Sequence, residues 1–425
     1  MVKVWWVIHR LPRQLTYNTA VKLTSEMIGR AASFALTIVA ARQLGEAAFG
    51  IYNYGLALGF VLAQLADMGL QMLVAREVAV HGSAAQPIAR MAFHLKCGLS
   101  GLVVVLLVGL ILTQPTAVRP PLFLLALMQL SQTFLEFVAY IYRGQQALTQ
   151  EAWLLGGARV TLALVGAMVL WLGGGLTPLA GGSLLVTVGF ALWGMGRLRR
   201  GGWLQALGQP VQPPEVGHRP GAGSYALLLR QAAPLGVAIF LSIAYTRSAV
   251  LLLQYRLGET AVAQFSAAAR LVEPTQVIPA SLMAAVFPAI SLALAQNPRQ
   301  ANVLGGRVSV LLGGGGLALA AGFWLAADWL LPWLYGAPYV TAVPILQLLG
   351  LTIVPAFINY SLTHYLIARQ QQVYLGLFSG GMLALHLALS WVLIGRLGVM
   401  GPALSTLVSE GFLLVACVWA LARPR

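Results

Sequence analysis

Nine ionisable side chains lie inside long apolar runs: Glu26, Arg30, Asp67, Glu136, Arg159, Arg247, Arg270, Glu273 and Glu410. A charge exposed to lipid costs ~3 kcal/mol or more, so such groups face protein or water. Glu26 and Arg30 stand four residues apart, and Arg270 and Glu273 stand three apart. Either spacing puts both members on one helix face, where they can pair. Arg247 has no acidic residue within one turn. Guanidinium suits the capture of a phosphate-bearing anion, because its planar fork grips two oxygens and keeps its charge when partly desolvated. The competing reading is that these charges only pair with one another and tie helices together. It weighs most for Arg159, which is near enough to a span end to snorkel, and for Glu410 on the last span. Asp67 and Glu136 read equally as salt-bridge partners or as an ion-coupling site.

The elements that must position these groups are apolar helices. About 20 helical residues cross a hydrocarbon core of ~30 Å. Twelve runs qualify, near 18–41, 50–75, 91–113, 121–142, 152–172, 178–197, 226–255, 261–294, 303–327, 339–368, 373–394 and 400–421. Turn residues separate them, among them Thr113-Gln114-Pro115, Gly173–Gly175, Leu257-Gly258-Glu259 and Gly336-Ala337-Pro338. The expected fold is an all-α polytopic membrane protein of about twelve spans in two pseudo-symmetric six-helix bundles. Its expected domains are 1–197, a linker at 198–224 rich in proline, glycine and arginine, and 225–425. Six prolines, Pro234, Pro274, Pro279, Pro288, Pro344 and Pro355, fall inside the later spans. Each removes a helix hydrogen bond and permits a kink, whether static or part of a motion.

Composition narrows the class. The chain is 59% hydrophobic and 9% charged, with mean hydropathy +0.81; soluble domains carry ~25% charge. The net charge of +15 points to cytoplasmic loops rather than to nucleic acid, since Lys and Arg gather there. With the amino terminus inside, cytoplasmic segments hold 18 of the 26 basic residues, Lys22, Lys96 and Arg143 among them, and external turns hold four. Both termini are therefore expected in the cytoplasm, with Trp5 and Trp6 at the headgroups. Cys97 and Cys417 read as small buried hydrophobes. The scattered histidines have no metal-ligand spacing, and no hydrolase, kinase or phosphate-loop motif occurs. Gly313–Gly316 reads as close helix packing. Tyr52, Tyr54, Tyr140, Tyr245, Tyr360 and Tyr365 could stack on sugar rings, though packing and interface anchoring account for most.

The halves repeat weakly. Arg42-x-Leu44-Gly45-Glu46 recurs as Arg256-Leu257-Gly258-Glu259, and Tyr142-Arg143-Gly144-Gln145-Gln146 is echoed by Ile367-Ala368-Arg369-Gln370-Gln371. Six spans per half keep one orientation, which puts the pseudo-axis along the membrane normal and the substrate between the halves.

The stretch 16–77 carries a family likeness. Ala41-Arg42-x-Leu44-Gly45, Phe49-Gly50-x-Tyr52, Asp67-x-Gly69-Leu70 and the closing Arg76-Glu77 resemble the polysaccharide (O-antigen-type) flippase family. That family belongs to the multidrug/oligosaccharidyl-lipid/polysaccharide exporter superfamily. Leu334-Tyr335-Gly336-x-x-Tyr339 is similar to the same family at the equivalent turn of the second half. The chain lacks room for the two further spans usual in lipid II flippase relatives, which favours the polysaccharide branch.

The resemblance implies a MATE-like fold in the bacterial or archaeal cytoplasmic (inner) membrane. It implies a monomer that flips a polyprenyl-diphosphate-linked oligosaccharide outward by alternating access, alongside other polysaccharide-assembly proteins. Arg30, Arg247 and Arg270 are then expected to bind the diphosphate, on spans that line the cavity in that superfamily. Asp67, Glu136, Glu26 and Glu273 are expected to couple a cation or pair charges. No catalytic step, metal or cofactor is expected beyond a coupling H⁺ or Na⁺. Two other readings stand: an organic-cation exporter of the same superfamily, against which the cationic bias speaks, and a membrane-embedded polysaccharide polymerase or ligase, which calls for a larger external loop.

Overall fold

A computed structural model of the chain describes residues 13–204 and 225–423. Trp5, Trp6 and most of the expected linker, 205–224, lie outside the described residues. Thirteen α-helices run in chain order among them: α1 (Arg13–Asp67), α2 (Leu70–His81), α3 (Gln86–Leu112), α4 (Arg119–Gly144), α5 (Leu148–Trp171), α6 (Leu176–Arg200), α7 (Tyr225–Leu257), α8 (Glu259–Val272), α9 (Val277–Gln296), α10 (Pro298–Tyr335), α11 (Val343–Ala368), α12 (Gln372–Leu397) and α13 (Met400–Ala422). No strand occurs among the described residues. In a hydrocarbon solvent a helix satisfies every backbone group within its own segment.

Eleven helical stretches are long and apolar enough to cross a membrane. The first, Ala20–Asp67, has 48 residues and is kinked at Gly45, whose φ of 74° and ψ of 171° are not helical. It therefore supplies two spans, and the expected twelve are present.

Two spans differ from the expected uninterrupted runs. The second breaks at Met68 and Gly69 (φ 42° and 82°) between α1 and α2. The eighth breaks at the 3₁₀ turn Glu273–Gln276 between α8 and α9. Pro274 has no N–H to give and crowds the preceding turn, which favours a break there. Pro234, Pro288 and Pro355 are interior to helices, whereas Pro344 sits in a first turn, where it costs nothing. A further interior proline, Pro332, appears because α10 continues to Tyr335, past the expected end at 327.

The sequence repeat has a backbone counterpart. Gly258, between α7 and α8, has φ 83° and ψ −170°, close to the geometry of Gly45. Only glycine enters this region without steric cost, which explains why Leu-Gly-Glu recurs at both places. α4 and α11 close alike: Ala147 N donates to Tyr142 O, Gln371 N donates to Leu366 O, and Gln146 and Gln370 take left-handed φ of 58° and 61°.

The chain forms two compact units. One gathers Met1–Leu44 and Gly55–Phe240, the other Gly45–Tyr54 and Leu241–Arg425. In the first, α4 packs most extensively on α6, and α2 and α5 join them. Its core includes Leu70, Val74, Ala92, Leu135, Phe137 and Ile141, with Leu228 and Ala232 from α7. In the second, α10 packs on α11, and α13 on both α11 and α12. Gly313 and Gly316 of α10 lie against Ile358 and the Ile353–Val354 backbone of α11, as their reading as packing glycines expects; Gly314 and Gly315 face open space. Large apolar side chains cover the outside, among them Val105, Trp171, Leu185, Leu325, Trp333 and Val415. Such a surface suits acyl chains, not water.

Candidate functional site

The first unit holds a buried ionic cluster. Asp67, at the end of α1, accepts a hydrogen bond from Lys96 Nζ of α3 at 3.0 Å. Lys96 is completely buried, and its ammonium also lies 5.4 Å from the Phe134 ring centroid. The charge asymmetry placed Lys96 in a cytoplasmic segment; it is instead ten residues into α3, held there by the carboxylate. Glu136 accepts from Gln132 Nε2 at 3.3 Å and lies within electrostatic range of Lys96, Asp67 and Arg159. Arg159 packs its stem against Gly29 of α1.

Glu26 and Arg30 share a helix face but form no ion pair among the described residues. Arg30 is exposed on the protein surface, and an exposed i, i+4 pair gains only ~0.3–0.5 kcal/mol against the entropy of two long side chains.

A second knot went unnoticed in the sequence. Glu151, 1% exposed, accepts from Lys22 Nζ at 3.1 Å and from Arg143 Nε at 3.0 Å. Beside it, Ser25 Oγ donates to the Ala152 carbonyl at 2.8 Å. Glu151 lies eight residues beyond Arg143 and 129 beyond Lys22, so no short-range spacing announced it.

In the second unit the expected pairing is rearranged. Glu273 does not pair with Arg270, three residues away. Its carboxylate takes Arg247 Nη1 at 3.1 Å. The backbone stays right-handed through Val272 and Glu273, so the spacing of three is kept and does not by itself decide the partner. Arg247, read from the sequence as lacking an acidic neighbour, therefore has one from the next span. Arg270 is half-buried, forms no ion pair among the described residues, and lies within electrostatic range of the Tyr52 and Tyr335 hydroxyls.

Among the described residues, Glu410 of α13 is held by neutral groups. Asn359 Nδ2 donates to its Oε2 at 2.8 Å, and the Tyr245 hydroxyl donates to its Oε1 at 3.3 Å. His386 stands edge-on to Tyr245 at 5.0 Å, with Ser405 Oγ 3.2 Å from its Nδ1. The buried Asn359 Oδ1 and Ser409 Oγ have no hydrogen-bond partner among the described residues.

The family-like motif residues meet in this same unit. Phe49, fully buried, sets its ring edge-on to Tyr339 at 6.1 Å, and Tyr339 lies 5.5 Å from Tyr335. A Cβ on Gly50 would stand 1.9 Å from the Glu259 carbonyl oxygen. Three separated stretches, 49–52, 259 and 335–339, thus form one packed knot. Among the described residues no three His, Cys, Asp or Glu side chains converge to hold a metal.

Twelve helical spans, a kinked first pair and an internal repeat define a multi-pass membrane protein. The chain belongs to the family of polysaccharide biosynthesis proteins, whose sequence profile matches residues 15–293. No curated protein matches it in sequence. Among solved structures it is similar to the inward-facing form of a multidrug resistance MATE family transporter of the MOP superfamily. The TM-score is 0.70 at 16% identity, over 95% of this chain and 97% of that one. It is also similar to the lipid II flippase MurJ in an inward closed conformation, with TM-score 0.68 at 12% identity, over 95% and 88%.

Proposed function

We propose that this protein flips a polyprenyl-diphosphate-linked oligosaccharide from the cytoplasmic to the outer leaflet of a bacterial or archaeal inner membrane. The movement is by alternating access, with no covalent step. Membership of the polysaccharide biosynthesis family supports the pathway class, and the fold it shares with transporters and a flippase supports the mode of action. The observation that carries the anionic substrate is the balance of charge within the spans. The two most deeply buried carboxylates, Asp67 and Glu151, are already matched to Lys96, Lys22 and Arg143. Arg30 and Arg270 retain guanidinium groups with no anionic partner among the described residues, and Arg247 meets Glu273 in a partly open pair. Such forks suit a diphosphate, and an organic cation finds less to bind. Outward flipping is coupled to H⁺ or Na⁺ through an acidic group in the first half, with Asp67 the principal candidate.

The test uses proteoliposomes loaded with a fluorescent polyprenyl-diphosphate oligosaccharide and a membrane-impermeant quencher. Protein-dependent exchange between leaflets is expected, and it should diminish in Arg270→Ala. Exchange no faster than in empty liposomes, together with efflux of a lipophilic cation dye, would replace this reading with the exporter.

A further inference from the structure

Outside the cluster of buried charges, one cavity combines charge, an aromatic wall and access to lipid. It measures about 350 Å³ and is lined by Trp193, Arg197 and Arg200. These residues fall at i, i+4 and i+7, one face of the last two turns of α6. The Arg197 guanidinium lies 5.4 Å from the Trp193 ring centroid and within range of the Tyr142 hydroxyl, so its position is fixed from two sides. Neither arginine forms an ion pair among the described residues. Toward mid-membrane the same helix exposes Leu185, Leu192 and Trp193. Exposed apolar side chains of the same helix therefore stand beside a pocket with two positive charges, at the end of α6 that the charge asymmetry assigns to the cytoplasm.

We propose that this pocket binds the phosphate headgroup of an anionic membrane phospholipid. The two guanidinium groups grip the phosphodiester oxygens, the indole sits at the glycerol level, and the acyl chains lie along Leu192 and Leu185. Each part matches a known preference: arginine for phosphate, tryptophan for the interface, and basic pockets beside cytoplasmic span ends for anionic lipid. The site is separate from Arg30, Arg247 and Arg270 and does not depend on what the protein transports.

The test is native mass spectrometry of the full-length protein in mild detergent, with phosphatidylglycerol or phosphatidylcholine added. Wild type should retain phosphatidylglycerol over phosphatidylcholine by roughly tenfold, and Arg197→Gln/Arg200→Gln should lose that preference. Arg299→Gln/Arg307→Gln, on α10, should keep it. Arg197→Lys/Arg200→Lys should fall between, since a point charge replaces a fork. Should the glutamine pair fail to fold, Trp193→Ala is the substitute, with the same direction of change. Equal retention of the two lipids by wild type would overturn the proposal. So would undiminished phosphatidylglycerol in the glutamine variant, or binding of inorganic phosphate with no retained phospholipid.

Discussion

Arg247 and Glu273 are 26 residues apart in the chain, yet their side chains meet at 3.1 Å and join α7 to the broken eighth span. The pair is partly open, with side-chain exposures of 25% and 42%, and pairs of this kind contribute only ~0–1 kcal/mol. Arg247→Ala should therefore abolish flipping while leaving the folded protein intact by circular dichroism and size-exclusion chromatography. Arg247→Lys should recover part of the activity, and Glu273→Gln should retain most of it. If Glu273→Gln is as inactive as Arg247→Ala, the ion pair itself is the functional element, and Arg247 is not a phosphate ligand.

Lys96 and Asp67 pose the opposite case, because both are buried. Removing one member strands the other charge, at a cost of ~3–5 kcal/mol. Lys96→Met should depress thermal stability in detergent sharply, and Lys96→Met/Asp67→Asn should restore much of it. A double variant no more stable than the single would show that another group compensates Asp67.

An imposed H⁺ or Na⁺ gradient should accelerate flipping by the wild type in proteoliposomes, and Asp67→Asn should lose that response. Glu410→Gln is the informative companion, since among the described residues Glu410 is held by the neutral Asn359 and Tyr245. A wild-type rate indifferent to both gradients removes coupling altogether and leaves Asp67 as the partner of Lys96.

Gly50→Ala should destabilise the second unit by ~1–3 kcal/mol, the usual range for overpacking. The new methyl would stand 1.9 Å from a backbone oxygen, which no rotamer change can relieve. Thermal melts of Gly50→Ala and Gly314→Ala make the comparison, because Gly314 faces open space. Equal melting of the two would contradict the close approach.

Cysteines introduced by Arg200→Cys, Glu215→Cys and Pro424→Cys should resist an impermeant thiol reagent added to intact cells and react after permeabilisation. The expectation rests on the asymmetry of Lys and Arg. Labelling from outside would reverse the orientation and with it the direction of flipping.

Span number and the turns between spans were legible because apolar length and turn chemistry are local signals. The Leu-Gly-Glu repeat was legible for the same reason: a backbone geometry that only glycine enters leaves a mark at one position. Partnership was not. Glu26 with Arg30 and Arg270 with Glu273 have ideal helical spacings, yet neither forms an ion pair among the described residues, and Glu273 takes Arg247 from another helix instead. Lys96 was read only as a cytoplasmic charge and Glu151 drew no notice, because each is defined by a partner on another helix, and chain spacing does not encode that distance. Asp67, by contrast, stood out as a charge inside an apolar run, though its lysine did not.

The division of the chain between the units bears on how it is made. Gly45–Tyr54 belongs to the second unit but is synthesised before most of the first, and the first is not complete until Phe240 has emerged. The early decapeptide must wait in the membrane, through some two hundred residues of translation, for the helices that will cover it. All of the first unit's residues are in hand once Phe240 has emerged, whereas the second draws on a piece made far earlier than the rest of it. A truncation at the midpoint would leave each fragment missing a piece that the other carries, so the two fragments should accumulate only when expressed together.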